Sequence, residues 1–229
     1  MVYPSSASSC ALQAIAPYSL FLDDDLILEP DLVERILIAI QEEGCGFVGS
    51  AFIGLSFVDD VRPHEQKIEF WDKGVQPETV KSGTPQWERW RLHNAANIYH
   101  VQQRLNLSPN NPIKYRVAWV AGCVMYDTAK LRSIGGYSFW QQLPPEHCGE
   151  DVLVQLRMME QYGGCGIIPS GVYHQELPTT IVDRRVAADS AINKEYVRKI
   201  LFRGTFGRNW RCFNRAESYS STRAIAPSS

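Results

Sequence analysis

The stretch from Tyr18 to Leu26 constrains this chain more than any other. A short apolar run, Tyr18-Ser19-Leu20-Phe21-Leu22, passes straight into Asp23, Asp24 and Asp25. Such a run, bounded by polar residues, reads as a buried strand of the kind parallel sheets use. In open α/β sheets ligands bind where the strands end. Three adjacent carboxylates repel one another, and a cation relieves that repulsion. Asp23 and Asp25 fall on one side of an extended segment, because side chains alternate with period two. Oxygen donors so placed suit Mg²⁺ or Mn²⁺, completed by substrate phosphates and water. For an isolated triplet, a solvated acidic loop is an equal reading, and the apolar strand in front weighs against it.

The rest of the chain alternates helical and extended patterns, which points to the α/β class. Residues 11–16 read as the end of a short helix closed by Pro17. Pro30 and Asp31 open a helix in which Leu32, Ile36, Ala39 and Ile40 recur at helical spacing, and Gly44 stops it. Residues 47–58 read as a strand broken by Gly49 and Gly54, and residues 59–86 as a polar excursion rich in Pro and Gly. Residues 87–105 have helical period and end in Ser-Pro-Asn-Asn-Pro. Residues 115–126 form the next expected strand, and residues 128–134 a short helix stopped by Gly135 and Gly136. Gly149-Glu150-Asp151 opens a helix that runs to Gly163. Short strands are expected at residues 166–168 and 172–174, around a turn at Pro169.

Composition excludes several classes. Hydrophobic residues are 45% and charged residues 21%, which argues against global disorder. A net charge of −2 gives no electrostatic footprint for nucleic acid. No apolar run approaches the length of a membrane span, and the first ten residues lack the basic start of a signal peptide. The expectation is a cytoplasmic protein. None of the six cysteines forms a Cys-x-x-Cys pair, so reduced thiols are expected, and a nucleophilic role for Cys148 is disfavoured. Charge divides the chain at residue 192. Residues 1–192 carry −8 and residues 193–229 carry +6, with Tyr196, Phe202, Phe206, Trp210 and Phe213 interleaved. Such a tail can make peripheral contact with an anionic membrane. A helix packed on the body by its aromatics is the favoured reading.

Two further positions carry chemistry. Asp151 opens a helix, where the dipole favours the anion, and an ionised Asp beside a hydroxyl can act as general base. Taken alone, simple helix capping is the stronger reading. His174 follows Asp151 by 23 residues, and a neutral imidazole can complete a Mn²⁺ site begun by carboxylates.

Together these pieces resemble family 2 glycosyltransferases of the GT-A fold. The order is an apolar strand into Asp-Asp-Asp, then WVAGCVMYDTAKLRSIGGY, then GEDVLVQLRMMEQYGG, then Tyr-His. The match covers residues 8 to 180, within a catalytic region at residues 1–192 and a basic aromatic tail at 193–229. It implies a Rossmann-like GT-A mixed sheet flanked by helices and shortened at the N-terminal side. Only 17 residues precede the acidic strand, where the family has a nucleotide-binding βαβ region, so an exposed sheet edge is expected there. The resemblance implies that Asp23, Asp24 and Asp25 bind the nucleotide-sugar. It implies that Asp23, Asp25 and His174 hold Mn²⁺ or Mg²⁺. Asp151 is then the base, and Trp119, Gly122, Cys123 and Glu150 line the sugar and acceptor pocket. The implied reaction is inverting transfer from a nucleoside-diphosphate sugar to a glycan or lipid-linked hydroxyl, with no nucleic-acid partner. The alternatives are a silent remnant that binds carbohydrate or protein, and, ranked last, a metal-dependent phosphohydrolase.

Overall fold

The computed structural model describes residues 13–143, 147–176, 186–188 and 192. The chain divides into two compact units, Met1–Ile192 and Asn193–Ser229. The basic tail, Cys10, Cys212 and the start of the helix expected at residues 11–16 lie outside the described residues.

The elements follow in this order. Strands β1 (Tyr18–Leu22) and β2 (Leu26–Leu28) precede helix α1 (Leu32–Glu43), then come β3 (Phe47–Gly49) and β4 (Ile53–Gly54). Short 3₁₀ turns and a polar segment lead to a 3₁₀ helix, Trp87–His93, and to α2 (Asn97–Leu105). Then come β5 (Ile113–Tyr115), β6 (Cys123–Asp127), α3 (Thr128–Ser133), β7 (His147–Cys148) and α4 (Glu150–Tyr162). Strands β8 (Gly164–Ile168), β9 (Val172–His174) and β10 (Val186–Ala187) close the described chain. The main sheet has five strands in the order β1-β6-β3-β8-β5, and a three-stranded sheet runs β2-β9-β4. Both are mixed. In the first, β3 and β8 are parallel and the other pairs antiparallel. In the second, β2 is antiparallel and β4 parallel to β9. The α/β class expected from the sequence is the class observed. Among the described residues no helix is long and apolar enough to cross a membrane.

Helix α1 forms where the periodicity places it. Leu32, Ile36, Ala39 and Ile40 are all within 1% of full burial, at about 1.5–3 kcal/mol for each large side chain. Gly44 adopts the left-handed conformation at φ 56° and donates its N–H to Ile40, the expected stop. This face packs with Val48, Met125, Cys165 and Ile167 into the core cluster. Cys45, Cys123, Cys148 and Cys165 form no disulfide, and all but the half-buried Cys148 are buried.

Three expected elements come out differently, each for a local reason. The strand at residues 47–58 ends at Gly49, and β4 joins the other sheet. A Cβ on Gly49 would stand 2.7 Å from Val120, so only glycine fits where β3 ends. The helix at residues 87–105 is interrupted, because Asn94 is extended and Ala95 has φ 53°. The break lets His93 reach the Tyr115 hydroxyl at 2.9 Å and Asn97 reach Glu65 at 3.0 Å. The strand at residues 115–126 becomes two strands, β5 and β6, separated by the crossing segment 116–122. Val120 in that segment pairs with a side chain, not a strand: Gln155 Oε1 accepts from its N–H and Gln155 Nε2 donates to its carbonyl, both at 2.7 Å.

Strand β1 is also not the parallel, fully buried strand expected. It pairs antiparallel with β6 along all five residues, and among the described residues β6 is its single partner. The polar excursion is anchored, not loose. Val75 is 7% exposed, and its N–H donates to Glu43 Oε2 at 2.7 Å. Arg89 bridges Glu69 and Glu78, and the Arg116 guanidinium lies 3.6 Å over the Trp71 ring.

Candidate functional site

Topology brings the sequence motifs to one edge of the main sheet. Strand β1 ends at Leu22, paired with Cys123 at the start of antiparallel β6. The Asp23 N–H then donates to the Gly122 carbonyl at 2.9 Å, so the acidic triplet leaves the sheet beside Gly122. Helix α4 precedes β8 and packs back along it, so its N-terminus, with Glu150 and Asp151, reaches the same end. This is the carboxyl end of β1, β3 and β8, where open sheets place their ligands.

Gly122 has φ 81°, a conformation that favours glycine, and a Cβ there would stand 3.3 Å from Asp23 Oδ2. The position thus needs both the backbone freedom and the missing side chain. Strand β9 delivers the late histidine. Its pairing with β2 aligns His174 with Leu26, directly after the triplet, and the Gln175 N–H donates to the Asp25 carbonyl at 2.9 Å. His174 Nε2 lies 3.1 Å from Asp25 Oδ2. Phe52 stacks on the imidazole, with centroids 4.7 Å apart.

The electrostatics tie these residues into one cluster. The Asp23 carboxyl is raised above its usual range by partial burial, then by Asp25, Asp24 and Glu150, with His174 acting in the opposite sense. Asp23 keeps an exposed flank, so the crowding of like charges is the more telling cause. The Asp151 carboxyl is pushed from 3.8 up to about 6 by desolvation, then by Glu150 and Asp23, against the pull of the Val152 N–H. Residues 23 and 151 are far apart in sequence and close enough here to perturb each other. The Cys123 thiol is pushed up to about 12 by burial and by Asp23, which makes it an inert part of the wall.

The carboxylates fit a hard divalent cation in donor type and in their excess of negative charge. Among the described residues, no three His, Cys, Asp or Glu side chains are gathered into a ready-made cage. A Mg²⁺-type site with one or two carboxylates and substrate phosphates needs none. Trp119 is half-buried and meets Trp87 edge-on, with centroids 5.0 Å apart. It adjoins Val120, which Gln155 clamps one helical turn beyond Asp151. Asp24 is exposed, Asp25 and Glu150 half-buried. A cavity of about 240 Å³ bordered by Glu65, Glu69, Arg89 and Arg91 lies in the polar excursion and shares no residue with this cluster.

Sequence reasoning did not single out the supports behind Asp151. Burial raises the pKa of the Tyr126 and Tyr137 hydroxyls, and the nearby Asp151 carboxylate raises both further. Phe21 packs edge-on to Tyr126 and stacks on Tyr137. One signal was present: Gln155 stands four residues after Asp151, on the same helix face. No protein-family model matches this chain, and no curated protein matches it.

Proposed function

We propose that this chain is a metal-dependent inverting glycosyltransferase of the family 2, GT-A type, moving a sugar from a nucleoside-diphosphate sugar to a glycan or lipid-linked hydroxyl. What supports the reading above all is the convergence of Asp23–Asp25 with Asp151, whose carboxyl has its pKa raised to about 6.

In this reading Asp23 and Asp25 hold Mn²⁺ or Mg²⁺ together with the donor diphosphate, and Asp24 borders the donor from the solvent side. The cation, when bound, supplies positive charge for the leaving diphosphate. Asp151 is ionised above about pH 6 and accepts the proton of the attacking hydroxyl, a contribution of about 10²–10⁴ in rate. Its pKa near neutrality suits that task, since a base poised close to the working pH remains charged yet takes a proton readily. Trp119, Gly122, Cys123 and Glu150 wall the space between the two ends. The Trp87–Trp119 corner offers a flat apolar face on which a sugar ring can lie.

The test is a transfer assay with UDP-, GDP- and TDP-sugars and Mn²⁺. Asp151→Asn should abolish transfer and leave donor binding nearly intact, whereas Asp25→Ala should lose metal and donor together. Wild-type turnover in Asp151→Asn would remove the base assignment. Donor binding without any turnover in the wild type would favour a silent sugar-binding module.

A further inference from the structure

The surroundings of His174 bear on how a cation would be held. Its Nδ1 accepts a hydrogen bond from the Glu176 N–H at 3.0 Å. A nitrogen that accepts carries no proton, so the neutral ring bears its proton on Nε2. That nitrogen is the one 3.1 Å from Asp25 Oδ2. Metal-binding histidines show the opposite pattern: one nitrogen binds the metal and the other donates its N–H to a carboxylate, a carbonyl or water. Here the far nitrogen faces a donor. Binding a cation through Nε2 would leave the ring with no proton at all, or would force the Glu176 amide away.

The Glu176 amide is not free to swing away. Glu176 sits in the left-handed region at φ 57°, a conformation that a residue with a side chain keeps only where its surroundings hold it. Its carboxylate is held by the Ser56 N–H at 2.9 Å. The ring is held independently by its stack on Phe52, and its backbone pairs with β2 on one side and β4 on the other.

We propose that His174 is not a metal ligand but a positioning residue. It is locked as the Nε2–H tautomer and presents that proton to Asp25, and the cation is held by carboxylates. The inference rests on the metal-dependent reading for its second half, while the tautomer stands on the geometry alone.

Two measurements separate these halves. The first is the nitrogen-15 spectrum of His174 in the metal-free protein. The structure predicts a protonated Nε2 and an unprotonated Nδ1, with the signals assigned by their loss in His174→Gln. The reverse tautomer would overturn the proposal whatever the metal does. The second is pulsed electron paramagnetic resonance of the protein loaded with Mn²⁺ alone. No coupling from a directly bound imidazole nitrogen is expected. Mn²⁺ affinity should fall about tenfold in His174→Ala, as for loss of an outer partner, and recover in His174→Gln, which keeps an N–H donor. A nitrogen coupling that disappears in His174→Gln would make His174 a ligand and end the proposal. Absence of any Mn²⁺ binding would remove the proposed function instead, leaving the nitrogen spectrum to decide the role of His174.

Discussion

Replacing Asp151 by Asn should make the protein more stable at neutral pH and leave it no more stable in acid. The carboxyl has a pKa of about 6 in the folded chain against an ordinary value of 3.8. At 1.36 kcal/mol for each factor of ten, folding disfavours the anion by about 3 kcal/mol. The sign follows from proton counting. Between those two values the folded protein binds more protons than the unfolded one, so stability falls as pH rises. Below 3.8 the penalty is absent, and above about 6 it is complete. An asparagine at this position cannot ionise and carries no such penalty. In thermal melts with EDTA, the stability gap between Asp151→Asn and wild type should therefore grow by about 3 kcal/mol between about pH 3 and pH 7.5. For a body of this size that is a melting difference of about 6–12 °C. The test reads the change of the gap with pH, so a constant offset from weaker capping by the amide cancels. A gap that is the same at both ends, or that grows towards acid, would refute the placement of Asp151 in a desolvated, negatively charged pocket.

Other perturbations should respond in ways the geometry fixes. If Asp151 is the base, sugar transfer should fall as pH drops through about 6, and a flat profile down to about pH 5 would exclude it. Gln155→Leu strands the buried Val120 N–H and carbonyl and should cost about 2–4 kcal/mol in urea unfolding. Gly122→Ala forces a side chain into a left-handed position against Asp23 and should cost about 1–2 kcal/mol, with weaker Mn²⁺ binding. Gly164→Ala places a Cβ 2.1 Å from Phe47 and should cost about 1–3 kcal/mol with no direct effect on the acidic cluster.

What the sequence made legible was local. Leu32, Ile36, Ala39 and Ile40 announce α1 through their spacing, and Gly44 ends it because the αL conformation suits glycine. Gly135, Gly136 and later Gly163 also mark real helix ends, each with a positive φ. The acidic triplet was legible as a strand end, since an apolar run that stops abruptly at charge marks where the chain leaves the core. What stayed hidden depends on partners far away in the chain. Val120 reads as part of a strand until Gln155 takes both of its backbone groups. Asn94 and Ala95 interrupt a helical pattern, and the break lets His93 and Asn97 meet Tyr115 and Glu65 from distant parts of the chain. The antiparallel pairing of β1 was invisible for the same reason, because a five-residue apolar run has the same composition in either direction. For the site, the residue types could be named from their motifs. Their convergence, the tyrosine pair behind Asp151 and the orientation of the His174 ring follow from strand order and register, which no local pattern encodes.

The central claim is that the acidic end of β1 binds a nucleotide-sugar through a divalent cation. Calorimetry with UDP-, GDP- and TDP-sugars, with Mn²⁺ and then with EDTA, tests it most directly. At least one donor should bind with Mn²⁺ present, EDTA should abolish the binding, and Asp25→Ala should do the same. Failure of every donor to bind in Mn²⁺, or binding that survives both EDTA and Asp25→Ala, would contradict it.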